Sequence, residues 1–287
     1  MAQVVEHKIW KIIELFYRSF LEYRRTYDQY KQHCAALRAR GGAARETLRP
    51  APAEMADLID FQKLEELRDR HLFVLKDYCH DIFRNPNQTD PFDRYVSAIF
   101  HEVSILKEEH YTVKRYAQYS ARPGPQDEFH AAMEAALSQI PHKMEHIRLL
   151  YDAARERLQT LLPGFRGQKI LTRSLFLNRD GFVAQSHPRG IEGFYELMYP
   201  EHGPLAGFVE AGESFFESAF HLQAKEAFEL GRAYQRAAPR DTAAATRFIA
   251  LIEERLAAIE QALAAARERE ETPVSYTHLT LPTTYSV

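Results

Sequence analysis

The sequence predicts a mainly α protein, an elongated antiparallel helical bundle with a small insert that contains a β-hairpin. Three observations carry that prediction. Apolar residues recur every three or four positions through most of residues 4–162. The stretches between these runs are dense in Gly and Pro. Near residue 169 the helical period gives way to alternation. Residues 92–119 show the first observation best. Their a positions are Phe92, Ile99, Leu106 and Val113, and their d positions are Val96, Val103, His110 and Ala117. Such spacing makes a coiled-coil-like apolar seam down one helix face, and the seam needs a cover. Similar runs precede and follow it, so the cover is expected from the same chain. The expected layout is a long-helix bundle over 1–162, an irregular insert over 163–212, a closing helical pair over 213–271 and a tail over 272–287.

The first helix is expected over residues 4–40, with a seam of Ile9, Ile13, Phe16, Phe20, Tyr23, Tyr27, Tyr30, Cys34 and Leu37. The seam turns from aliphatic to tyrosine-rich. Buried tyrosine hydroxyls need partners, which points that half toward a wetter end of the bundle or toward a partner. Gly41-Gly42 stops the helix, and Pro50 and Pro52 mark residues 41–56 as a linker. The second helix, from residue 54 or 57 to 84, carries Leu64, Leu67, His71, Val74 and Tyr78 inward, widened by Leu75 and Ile82. NPNQTDP at 85–91 breaks it. Asp90 is placed to cap the next helix, with Pro91 at its first position. ARPGP at 121–125 ends that helix. The fourth helix, 126–162, buries Phe129, Met133, Ala136, Ile140, Ile147, Leu150 or Tyr151, Ala154, Leu158 and Leu161. Pro141 predicts a kink or break near Gln139.

In residues 169–186, Ile170, Thr172, Ser174 and Phe176 alternate with Leu171, Arg173, Leu175 and Leu177. NRDG at 178–181 reads as the turn of a hairpin lying against helices. Residues 187–213 read as tight turns and short helices over an apolar surface. The fifth helix is expected over 213–237, with Phe216, Phe220, Ala227, Leu230 and Tyr234 inward. The sixth, over 241–270, carries Phe248, Ile252, Leu256, Ile259, Leu263 and Ala266 and is capped by Asp241 or Thr242. Residues 272–287, TPVSYTHLTLPTTYSV, lack Asp, Glu, Lys and Arg. From about residue 274 they resemble the translated read-through of a sequencing adapter, and they are expected to be a non-native tail.

The formal net charge is -3, from 37 basic and 40 acidic residues, so an extended polyanion partner is not expected. The two cysteines, Cys34 and Cys79, fit a reduced compartment. The N-terminal run is interrupted by charge, and nothing approaches the roughly 18 apolar residues of a membrane span. A cytoplasmic location without membrane attachment is expected.

Thirteen histidines raise a metal reading. Asp77 with His80 and Asp127 with His130 have a suitable spacing, but they lie beside the predicted stripes and cannot converge in a core. No metal and no cofactor is expected. His71 and His110 fall on predicted seams and are expected as buried polar residues that specify register. His142 and His146, with Glu145, share an exposed helical face. The best ligand-binding candidates lie in the insert. Arg173, Arg179, His187 and Arg189 offer cations and a ring nitrogen to a small anion. No GxGxxG, Walker A or GxSxG pattern is present. Arg24, Arg25, Lys31, Arg38 and Arg40 give the first helix a basic half, without a recognition arrangement for nucleic acid. The leading expectation is a non-enzymatic helical scaffold or protein-interaction protein that self-associates through its tyrosine-bearing first helix. A small-ligand or anion sensor using residues 166–212 is the alternative, and a metal-dependent helical oxidoreductase is the third. Catalysis is left open.

Overall fold

The computed structural model describes residues 2–41, 59–85, 88–119, 127–165, 169–239 and 242–271. The linker prolines Pro50 and Pro52, the ARPGP break and the tail lie outside the described residues, as do the side chains of Leu37, Ala117, Phe129 and Met133. The chain is mainly helical. Helix α1 spans Ala2–Gly41. Helix α2 (Phe61–Glu66) passes through a π-helical turn, Leu67–Leu72, into α3 (Phe73–Phe83). Arg84–Asn85 (β1) and Gln88–Thr89 (β2) form a two-residue antiparallel pairing at the predicted break. Then come α4 (Pro91–Tyr119), α5 (Asp127–Leu161), a 3-10 turn at Leu162–Phe165, and α6 (Lys169–Leu177). A second π turn at Arg179–Val183 leads into α7 (Ala184–Ser186) and α8 (Gly190–Met198). Helices α9 (Pro204–Glu217), α10 (His221–Ala237) and α11 (Ala243–Glu271) complete it.

The seams pack on one another. In α4, Phe92, Val96, Ile99, Val103, Leu106, His110 and Val113 are all buried. Cross-helix pairs give the relative directions. Lys8 binds Asp81 at 2.7 Å and His71 meets Glu22 at 3.1 Å, so α1 and the α2–α3 helix run in opposite senses. Lys107–Glu65 at 2.9 Å and the Phe83–Phe92 ring contact at 5.5 Å do the same for α4 against α2–α3. Lys143–Glu109 and Arg157–Asp90 set α5 against α4. Asp90 caps α4 as expected, accepting from the Phe92 N–H at 2.8 Å, and its carboxylate also takes Arg157 through two hydrogen bonds of 3.1 and 2.5 Å.

Four expectations are corrected. The hairpin over 169–186 is absent, because that segment is α6, a π turn and α7. Leu171, Thr172, Leu175 and Phe176 are buried, a helical stripe, and Phe176 packs edge-on to Phe215 of α9. A two-stranded ribbon placed between helices leaves edge N–H and C=O groups to satisfy, whereas a helix satisfies its own. NRDG serves as the π turn instead, with the Val183 N–H donating to the Asn178 carbonyl at 3.0 Å, five residues back.

Secondly, the α2–α3 seam changes phase. Leu64 and Leu67 are buried, then Leu72, Leu75 and Cys79, a step of five at the π turn. His71 and Tyr78 thus move to the margin, and Val74 becomes 36% exposed. Thirdly, the break expected near Gln139 does not form, because α5 runs unbroken through Pro141, which is exposed. Fourthly, the predicted helix over 213–237 is two helices. Ala219 takes a positive φ of 59° between α9 and α10, and Phe220, expected inward, is 52% exposed. Leu230 is likewise exposed, while Ala224, Ala227 and Phe228 face the core.

Helix α9 starts at Pro204, nine residues before the predicted start at residue 213, and is buried on nearly all sides. It packs against α6, α8, α10 and α11. Its Gly207 lies under the Tyr195 ring, where a Cβ would fall 2.1 Å from Cγ. The apolar core runs without a gap from Ile9 to Ile259. Among the described residues, no helix is long and apolar enough to cross a membrane.

Candidate functional site

Helices α1 and α5 meet through large rings. Tyr23 stacks on Tyr151 at 5.2 Å, and Phe16 and Phe20 approach the same ring at 6.0 and 5.8 Å. Rings of this size hold the two backbones apart, and the gap widens on the solvent side into a crevice of about 320 Å³. Phe20, Tyr23, Tyr27 and Tyr151 form its inner wall. Arg24 and Asp28 from α1, with Arg148, Asp152 and Arg155 from α5, form its mouth. Each trio or pair recurs at three- or four-residue spacing, which places it on one face of its helix.

The polar groups are ordered by pairing. Arg148 donates to Glu145 through Nε and Nη2 at 3.0 and 2.7 Å, and to Asp152 through Nη1 at 2.6 Å. The Tyr27 hydroxyl donates to the same Glu145 carboxylate. Lys31 sits over the Tyr27 ring, 5.8 Å from its centroid. Arg155 approaches Asp152 at 3.5 Å and lies over the Phe20 ring at 5.3 Å. Arg24 is 4.0 Å from Asp28. Counting the mouth together with Lys31 and Glu145, four cations meet three carboxylates.

The tyrosines and Glu145 are each held in one protonation state. Burial pushes the Tyr23 and Tyr151 hydroxyls far up, and the hydrogen bond to Glu145 raises Tyr27. Arg148, then Tyr27, holds Glu145 below the usual carboxylate range. The tyrosines therefore remain donors and Glu145 remains an acceptor.

The three arginines among the insert's four ligand candidates are tied to different partners. Arg173 donates to the Ser218 hydroxyl at 3.2 Å. Arg179 donates to the Phe176 carbonyl at 3.0 Å, stacks on the Phe176 ring and pairs with Glu226. Arg189 pairs with Glu196. His187 accepts from the Arg189 backbone N–H at 3.2 Å, and its ring fills the space beside Gly193, where a Cβ would fall 1.9 Å from Cε1. Burial, then the Arg189 charge, lowers the His187 pKa. Of these four, His187 and Arg189 are in direct contact.

His110 is buried in the α4 seam, as its position predicts, and His71 lies half-buried against Glu22. His146 is exposed and 3.6 Å from Glu102. Among the described residues, no group of three or more His, Cys, Asp or Glu is arranged to hold a metal ion. Cys79 is buried, and burial, reinforced by Asp93, raises its thiol pKa well above the ordinary value.

Sequence reasoning missed Arg148, Asp152 and Arg155. The signal available was the tyrosine-rich half of α1, in which Tyr23 and Tyr30 are buried and Tyr27 is half-buried. The chain matches no protein-family model, no curated protein and no solved structure.

Proposed function

We propose that this chain is an antiparallel helical bundle acting as a non-enzymatic binding protein, with the α1–α5 crevice as its recognition site. The observation that carries the reading is the convergence of Arg24, Arg148 and Arg155, from two helices, on one opening backed by aromatic rings. Elsewhere the candidate arginines are tied to separate local partners. The reading keeps the anion-binding idea and moves it from the insert to the crevice. A thermal-shift screen of small charged compounds on the full chain tests it. A ligand at about 100 times its Kd adds about 2.7 kcal/mol of stability, which raises Tm by several degrees in a chain of this size. Hits should lose that shift in an Arg24→Gln/Arg155→Gln variant. Hits that keep their full shift in the variant would place binding elsewhere.

A protein-interaction reading has separate support in Leu177, Phe220 and Leu222, which are 58%, 52% and 66% exposed. The Arg173–Ser218 and Arg179–Glu226 contacts join α6 and its following turn to the end of α9 and to α10, the elements that carry these three residues or flank them. Tyr17, Tyr23 and Tyr30 of α1 are covered within the chain, so self-association is better placed at this area than on the tyrosine face. Sedimentation of the parent and of Leu222→Lys tests it. A concentration-dependent dimer lost in the variant supports it, and a parent that stays monomeric removes it.

A further inference from the structure

We infer that the group bound in the crevice is a single carboxylate, anchored by Arg155 with Arg24 as its second contact; the inference rests on the crevice being the recognition site. The three arginines are not equally available. Arg148 already donates three hydrogen bonds, two to Glu145 and one to Asp152. Arg155 has its guanidinium carbon 5.3 Å from the centre of the Phe20 ring and makes one 3.5 Å approach to Asp152. A guanidinium carries five N–H donors along the edge of one plane, and the approach to Asp152 engages one of the Arg155 nitrogens. That edge offers the forked geometry a carboxylate takes. Arg24 is 64% exposed, and 4.0 Å to Asp28 is too long for a hydrogen bond.

Charge and size narrow the class further. The mouth with Lys31 and Glu145 holds four cations and three carboxylates, one positive charge in excess. One carboxylate balances it, whereas a phosphate monoester, at about -1.5 to -2, overshoots. The volume, about 320 Å³, lies at the small end of the roughly 300–1,000 Å³ range of small-molecule sites. It suits a small organic acid or one acidic side chain of a partner, and both present the same chemistry.

Three probes separate the outcomes when titrated by NMR or calorimetry against the full chain at fixed low salt: propionate, the capped tripeptide acetyl-Gly-Glu-Gly-amide, and methyl phosphate. Propionate or the tripeptide should bind more tightly than methyl phosphate. Arg155→Gln should weaken that binding on the order of tenfold or more, and Arg155→Lys less. Tighter binding of the tripeptide assigns the site to a partner's acidic side chain, and tighter propionate to a free acid. The carboxylate assignment is overturned if Arg155→Gln binds either probe as the parent does, or if methyl phosphate binds tightest. It also falls if neither carboxylate binds while another screened compound depends on Arg155, and the crevice then survives as the site. If no compound depends on Arg24 or Arg155, both readings fall. Circular dichroism checks each variant's fold, and Arg24→Gln serves if Arg155→Gln is misfolded.

Discussion

Asp90 shows how much one residue can hold. Its place before Pro91 marks it as a helix cap in the sequence, and the structure adds the Arg157 contact from α5. The hydrogen bonds from Arg157 hold the Asp90 carboxyl below the usual carboxylate range. A carboxylate depressed in this way adds stability above its unfolded pKa, about 3.9, and loses it as pH falls through the lower folded value. Asp90→Ala should lower the unfolding free energy at neutral pH by about 1–2 kcal/mol in denaturant melts. Below about pH 4 the variant should lose stability less steeply than the parent, since the linked proton is gone. Equal acid slopes for the two proteins would remove the Arg157 linkage from the account. At the same scale, the burial of His110 was legible from its heptad position, whereas the margin position of His71 was not. The Arg155–Phe20 and Tyr27–Glu145 contacts were illegible for a different reason. Each partner reads as an ordinary seam or surface residue until the other helix is beside it.

The helix running from Phe61 to Phe83 shows why local periodicity misleads inside an element. One residue is about 100° of rotation on an α-helix, so an extra residue swings everything after it off the seam. The π turn absorbs that residue, with the Phe73 N–H reaching back to the Arg68 carbonyl, and delivers Leu72, Leu75 and Cys79 to the core. Deleting exposed Asp69 from the turn should convert it to α-helix and keep both halves of the stripe in phase. Its thermal melt should stay close to the parent's, less the local Arg68–Asp69 pair. Deleting exposed Asp77 leaves the π turn in place and throws Cys79 and Ile82 out of phase, so that variant should melt far lower. Equal damage from the two deletions would sink the assignment. The same principle governs residues 169–186, where alternation and helical spacing both fit a short run that is apolar on two sides. Packing against α9 selects the helix.

Across the whole molecule, the apolar cluster that spans Ile9 to Ile259 makes the helices interdependent. Leu106 is fully buried in it. Leu106→Asp places a carboxylate in the apolar core and should cost more than about 4 kcal/mol, enough to abolish a cooperative melt in a marginally stable chain. Leu149→Asp, at a position 51% exposed, is the control and should change stability by less than about 0.5 kcal/mol. A normal melt for Leu106→Asp would contradict the mutual covering of the seams. Most of that covering was legible without coordinates. A helix satisfies its backbone locally and repeats every 3.6 residues, so the stripes at Phe16, Ile99, Ile147 and Ile252 declare both the element and its inward face. Which helices face each other, where a π turn rephases a stripe, and which charges share the α1–α5 crevice were decided only by the tertiary structure. Those outcomes depend on surfaces more than 100 residues apart, Arg24 and Tyr27 against Arg148 and Arg155, and no local period carries information over that distance.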